Sequence, residues 1–376
     1  ALLKVVADLQ VPELINAHVK AQRSYFAEKP LRNHLTVGMT LVLAAIGRAC
    51  TPTSKQGWWQ WARTTTCDFL LRVALSKVDS QHFWDLMDSL PAEAIPRIEL
   101  ELLGRIRERY EISSDTLAFD TTNFFTFIDT TNERCTLAQR TKSKQKRHDL
   151  RCVGLALVVT REDLLPLFHL AYQGNANDAN VFAQVAGQIK ARLRELGMDL
   201  EKHTLVFDRG NNSRRNLGRI ERQHLHYVGA LRPSDHKDLV AAAEGNFAET
   251  DVGGARLQVF RDKRDIWGAE RTVVALISEK LKAGQLRGIY QELDRKRKRL
   301  GEMQRALANP RAKRRTREQL EAKLDALLKG QYMEGLVQYW LEDGEDGRFA
   351  LRYRTSRKAL DDLEDRLGLR ILMTDR

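Results

Sequence analysis

The 376-residue sequence has no run of eighteen apolar residues, which excludes an ordinary membrane-spanning helix. The apolar stretch 35–45 is short and internal, so it reads as neither a signal peptide nor an anchor. Cysteine is scarce: Cys50, Cys67, Cys135 and Cys152 lie far apart with no C-x-x-C spacing. That pattern points to neither a zinc site nor a disulfide framework, and the four read as ordinary buried thiols of a reducing cytoplasm. The acidic turn at 343–347 lacks the ligand spacing of a calcium loop. No β pattern interrupts residues 1–112.

What is present is enough apolar residue (43%) for real cores and enough length for two or three domains. Basic residues number 62 and acidic residues 50, a net charge of +12, so a polyanion is the expected partner. The excess is concentrated. Residues 280–329 hold 16 Lys/Arg against 6 Asp/Glu, or 16 − 6 = +10. A solvated helix surface does not require such bias in one segment, and nucleic acid is the favoured reading.

Residues 1–112 read as helical, with apolar residues at helical spacing in Leu35, Met39, Val42 and Ile46 and again in Ile98, Leu102 and Ile106. Trp58, Trp59 and Trp61 read as core anchors. The period changes at Ser113-Ser114. Residues 116–128 are rich in β-branched and aromatic side chains and read as a long strand. A second strand is expected at 134–140. A third, buried on both faces, is expected at 152–160, and the sheet continues at 166–172. Asn175, Asn177 and Asp178 open a helix striped by Val181, Val185, Ile189 and Leu193, which Gly197 ends. A short strand, 204–207, delivers Asp208, and Gly210 is expected to let the chain turn tightly. A helix and the strand 225–231 follow. The whole reads as an α/β sheet with an antiparallel start and a parallel continuation. Beyond 235, strands are expected at 256–260 and 271–277. A basic helical hairpin at 283–329 has Leu293, Leu300 and Leu307 seven residues apart, and strands return at 349–353 and 370–373.

Asp120 sits within an apolar strand and Asp208 at the end of another. An aspartate in a central strand is costly unless paired, hydrogen-bonded or bound to metal. Asp120 could instead cap a turn or accept backbone hydrogen bonds, and Asp208 could cap the helix that begins near Ser213. Together, two carboxylates from neighbouring strands suit a pair of Mg²⁺ ions clamping the oxygens of a phosphoryl transfer.

The blocks around them resemble a family. The run 117–125 around Asp120, Ser143-Lys144 followed by 149–151, Gly174-Asn175-Ala176-Asn177-Asp178, and the run 206–210 around Asp208 are similar, in the same order, to the motifs of DDE-type transposases of bacterial insertion sequences. Pro52-x-Ser54-Lys55 and Trp61 extend the likeness into the helical region. The resemblance implies a helical DNA-binding or dimerisation region at 1–112, the first part of an RNase H-like mixed-sheet core at 113–235, and an α+β insertion at 236–376 that carries the basic hairpin. It implies two Mg²⁺ or Mn²⁺ ions on Asp120 and Asp208, cutting and joining of transposon-end and target DNA, and a homodimer acting in the bacterial cytoplasm at the nucleoid. Lys144, Lys146, Arg147 and Arg151 are the expected phosphate contacts near the site. Arg295, Lys296, Arg297, Lys298, Arg299, Arg311, Lys313, Arg314 and Arg315 are those expected to follow the DNA backbone.

The family's third carboxylate is expected on a helix carrying Y-x-x-R-x-x-x-E. Tyr290, Tyr339 and Tyr353 do not begin such a pattern, and Glu364 lies before the strand that should precede it. The chain starts at Ala1 and ends at Arg376 as though cut, so the third carboxylate is expected to be missing and the fragment inactive. Two alternatives stand beside the enzyme: a non-catalytic DNA-binding derivative that regulates the intact transposase, and an RNase H-like nuclease that cuts without joining.

Overall fold

A computed structural model describes residues 1–19, 35–73, 75, 78–87, 89–112, 115–141, 147–311, 313–333, 335–344 and 347–376. The architecture is mixed α/β, with helices first and a central mixed sheet. The chain divides into two compact units. One comprises 1–206 with 213–226, and the other 207–212 with 227–376.

The first unit opens with helices α1 (Leu2–Asp8), α2 (Val11–Ala17), α3 (Val37–Cys50), α4 (Lys55–Ala62), α5 (Cys67–Leu71), α6 (Ser80–Met87) and α7 (Ile95–Arg109). Local chemistry sets their starts. Thr36 and Ser54 each accept an amide N–H from the first turn of α3 and α4, at 3.2 and 3.1 Å. Trp58 is the anchor expected of it. It is buried, its indole N–H donates to the Leu43 carbonyl at 3.0 Å, and Phe83 meets its ring edge-on at 5.1 Å.

The strands of this unit are β1 (Thr116–Thr126), β2 (Gln139–Arg140), β3 (Arg151–Thr160), β4 (Pro166–Gln173) and β5 (Thr204–Phe207), with helices α8 (Asp178–Glu195) and α9 (Arg214–Arg222). The order is β3-β1-β5, with β2 and β4 both on the far side of β3. β1 runs antiparallel to β3, pairing Asp120 with Leu157, and β3 runs antiparallel to β4, pairing Leu157 with His169. One face is dry. Leu117 and Phe119 of β1 and Ala156 and Val158 of β3 are buried there, and Phe182 of α8 meets Phe119 edge-on at 5.0 Å. Each large side chain so buried contributes about 1.5–3 kcal/mol.

Three expectations need correction. β3 is not buried on both faces: fully buried residues alternate with half-buried ones, so it reads as a one-sided strand with an unusually apolar second face. The second strand shrinks to two residues, because 129–138 forms a loop gathered around Arg151. The Arg151 guanidinium donates to the carbonyls of Ala138, Cys135 and Asn132 at 2.6, 2.6 and 2.7 Å. The cysteines are free, as expected, but only Cys67 and Cys152 are buried, and Cys50 is exposed at the end of α3. Gly174 earns its place in the motif that precedes α8, since a Cβ there would run into the Cys152 carbonyl oxygen.

The second unit contains β6 (His226–Leu231), α10 (Lys237–Ala243), β7 (Ala248–Val252), β8 (Ala255–Ile266), β9 (Ala269–Ile277), α11 (Glu279–Ala308), α12 (Arg317–Leu328), β10 (Val337–Asp343), β11 (Phe349–Thr355), α13 (Arg357–Glu364) and β12 (Leu369–Thr374). Its sheet order is β6-β12-β9-β8-β7, so the last strand lies between β6 and β9 and pairs antiparallel with both. Buried Arg271 of β9 donates to the Tyr227 hydroxyl at 2.5 Å, and the Tyr227 amide donates to Asp375 at 3.0 Å. α11 and α12 form the expected hairpin. Leu293 and Leu300 are buried with Leu320 and Leu324, and Val337, Leu341 and Leu351 of the β10–β11 hairpin complete this core. Thr316 and Gln319 form a reciprocal capping box at the start of α12. Tyr339 ties β10 to α12 by donating to Asp325 at 2.6 Å. Burial first, and the Asp325 carboxylate second, push its hydroxyl up to about 12.

Candidate functional site

Asp120 lies at the middle of β1, on the face opposite Leu117 and Phe119, and it is exposed. The burial cost expected of an aspartate in a central strand is therefore absent. Its Oδ1 accepts the amide N–H of Thr121 at 2.7 Å. Asp208 follows β5, the neighbour of β1, and is also exposed. Its Oδ1 accepts the Arg209 amide N–H at 2.7 Å and caps a single 3₁₀ turn, Arg209–Asn211. The cap of α9 is Ser213, which accepts from Asn216 at 3.1 Å, so Asp208 is not spent on that helix. Gly210 is not in a left-handed conformation and a Cβ there would meet nothing, so the turn does not depend on it.

Each carboxylate is a hard oxygen donor whose Oδ2 atom carries no described hydrogen bond, the ligand chemistry that Mg²⁺ or Mn²⁺ takes. Among the described residues, no three His, Cys, Asp or Glu side chains gather into a group that could hold a metal ion. Glu364 ends α13 and does not line the cleft at Asp208.

That cleft belongs to the second unit and has a volume of about 860 Å³. Arg209, Arg232, Arg366, Arg370, Gln285 and Tyr332 line it with Asp208. The sequence did not single out this group, because its members come from separate segments that only the fold gathers. Glu99, His169 and Arg192 were missed for the same reason. Glu99 is ion-paired with Arg192 at 3.0 Å and meets His169 Nδ1 at 2.7 Å. Its hydrogen bond raises the His169 imidazole above the usual histidine range.

The expected DNA contacts divide sharply. Lys144 and Lys146 lie outside the described residues. Arg147 is exposed but ion-paired with Asp149 at 2.7 Å, and its guanidinium holds that carboxyl down to about 2. Arg151 is occupied by the loop carbonyls. Lys296 is buried and donates to the carbonyls of Leu327 and Lys329 at 2.6 and 2.8 Å, closing the C-terminal end of α12. These last two side chains are engaged by backbone carbonyls. Arg295 is exposed and pairs with Glu292 at 2.6 Å. Arg297, Lys298, Arg299, Arg311, Lys313, Arg314 and Arg315 are exposed, with no ion-pair partner among the described residues. Among the described residues no helix is long and apolar enough to cross a membrane.

No protein-family model and no curated protein sequence matches the chain. Solved structures similar to it include two transposase complexes. One is a piggyBac transposase synaptic complex with hairpin DNA, at 12% identity and a TM-score of 0.36, covering 72% of this chain and 55% of that one. The other is a Mos1 transposase paired-end complex with a left transposon end, at 12% identity and a TM-score of 0.23, covering 60% of this chain and 68% of that one. The chain thus spans about half the length of the piggyBac protein.

Proposed function

We propose that this protein is a transposase of the DDE type that cuts and joins DNA by phosphoryl transfer, with Asp120 and Asp208 as metal-holding carboxylates. The observation that carries the reading is the like local setting of each aspartate. β1 and β5 are neighbouring strands, Asp120 is exposed on one and Asp208 follows the other, and each keeps an oxygen free of described hydrogen bonds. The strand order β3-β1-β5, with β1 antiparallel to β3 and a helix after β4, supports an RNase H-like core. Divalent ions held there would supply charge stabilisation for the phosphoryl group and its attacking oxygen. The chain's own residues position the two carboxylates through backbone hydrogen bonds and present free cations on the α11–α12 hairpin to the DNA backbone. A homodimer holding two DNA ends completes the proposal.

The test is cleavage of a duplex bearing a transposon end by the full-length protein, in Mg²⁺ or Mn²⁺. Loss of several kcal/mol of transition-state stabilisation corresponds to roughly 10²–10³-fold in rate, so Asp120→Asn and Asp208→Asn are expected to lose at least that while still binding duplex. Cleavage retained by either variant overturns the assignment.

A second reading rests on the exposed cations of the α11–α12 hairpin, unpaired among the described residues, which suit DNA binding by themselves. The chain would then bind DNA without cutting it and regulate an intact transposase. Duplex binding without cleavage by the full-length wild type, in either metal, selects this reading.

A further inference from the structure

The cleft beside Asp208 joins a cluster of cations to an exposed aromatic ring. Arg209, Arg232, Arg366 and Arg370 line it, all four are exposed, and none has an ion-pair partner among the described residues. Four guanidinium groups against one carboxylate leave a strong local excess of positive charge, which a polyanion would relieve by displacing counterions. Guanidinium forks suit phosphate oxygens in particular.

The volume, about 860 Å³, is that of a pocket for a few linked groups, within the rough 300–1,000 Å³ range of ligand sites. A B-form duplex, whose major groove alone is about 12 Å wide, does not fit inside such a space. A short stretch of one strand does.

Tyr332 adds the second feature. Its backbone is left-handed, with φ at 64°, a conformation that carries a steric cost for a bulky side chain and that glycine would adopt freely. The side chain is 37% exposed, so burial does not account for its presence. Its hydroxyl accepts from Gln285 Nε2 at 3.2 Å, and Gln285 Oε1 accepts from the Gly368 amide at 2.8 Å. The ring is thus held at the cleft by a bridge from α11 to the start of β12. An exposed, fixed aromatic face next to cations is the arrangement on which bases of an unpaired strand stack.

We infer that this cleft binds a short single-stranded segment of nucleic acid, with phosphates on Arg232, Arg366 and Arg370 and a base against Tyr332, leading the strand to Asp208. The inference deepens the proposed function and rests on it, since it states which form of nucleic acid approaches the carboxylate.

The experiment is fluorescence anisotropy in EDTA over a salt series, using a labelled dT hexamer and a labelled 20-base-pair duplex. The wild type is expected to bind the hexamer. The triple variant R232A/R366A/R370A should bind it at least tenfold more weakly, with the slope of log K against log salt reduced by about 2, since each single-strand phosphate contact contributes about 0.7. Tyr332→Gly should weaken hexamer binding several-fold without lowering the melting temperature, because glycine removes the backbone cost. That separates a binding role from a structural one. Hexamer binding by the triple variant equal to wild type overturns the cleft assignment. So does a wild type that binds duplex but not hexamer, and in that case the DNA-processing reading survives. A wild type that binds neither probe overturns both.

Discussion

Asp120 and Asp208 are held alike: each places its Oδ1 2.7 Å from the amide nitrogen of the next residue, Thr121 in one case and Arg209 in the other. An asparagine in either place keeps a carbonyl oxygen to accept that bond and loses only the charge. Asp120→Asn and Asp208→Asn are therefore expected to unfold within about 0.5 kcal/mol of the wild type, as exposed substitutions do. Thermal melts of the two variants check this. A large loss of stability would show that the carboxylates serve the fold.

The run Arg295 to Arg299 mixes a structural cation with free ones. Lys296→Met removes both donors to the last carbonyls of α12 and is expected to cost about 1–3 kcal/mol while leaving the salt dependence of duplex binding unchanged. Replacing Arg297, Lys298 and Arg299 by alanine is expected to do the reverse. Stability should hold, and the slope of log K against log salt should fall by about 2 to 3 if each contacts a phosphate. Urea unfolding and salt-dependent anisotropy measure the two effects separately.

Arg151 is the centre of a loop. Arg151→Ala leaves the carbonyls of Ala138, Cys135 and Asn132 without their donor and is expected to destabilise the chain by about 2 kcal/mol or more. Arg151→Lys should recover little, because an ammonium cannot reproduce the planar fork. Equilibrium unfolding of both variants tests this.

His169 makes stability depend on pH. Glu99 raises its folded value above the ordinary 6.5, so the protonated form favours the folded state. That contribution is complete below pH 6.5 and is lost as pH rises through the raised folded value. His169→Gln should flatten this part of the melting-temperature profile. An unchanged profile would show that the histidine does not couple to folding.

Much of this fold could be read along the chain, because its signals are local. The tryptophan anchors, the stripe of α8, the heptad of α11 and the strands carrying both aspartates follow from spacing and side-chain type. What escaped depends on contacts between distant segments. β7 is exposed throughout and has no apolar alternation to betray it. The shortened β2 follows from Arg151 reaching back across the loop. Lys296 looks like its basic neighbours in sequence, and only the arrival of the α12 C-terminus beside it shows its role. The cleft draws on separate segments, among them 208–209, 230–234, 331–332 and 369–372, and no motif joins them. The two aspartates were found because each ends or interrupts an apolar strand. The face on which Asp120 stands was not, because an apolar second face on β3 imitates a buried one.

The measurement that bears most directly on the central claim is a calorimetric titration of Mn²⁺ into the wild type, Asp120→Asn and Asp208→Asn. The account predicts Mn²⁺ binding by the wild type and at least a tenfold weaker affinity in each variant, since each removes one carboxylate from the donor set. Mn²⁺ binding that is equal in all three proteins, or absent from the wild type, would contradict it.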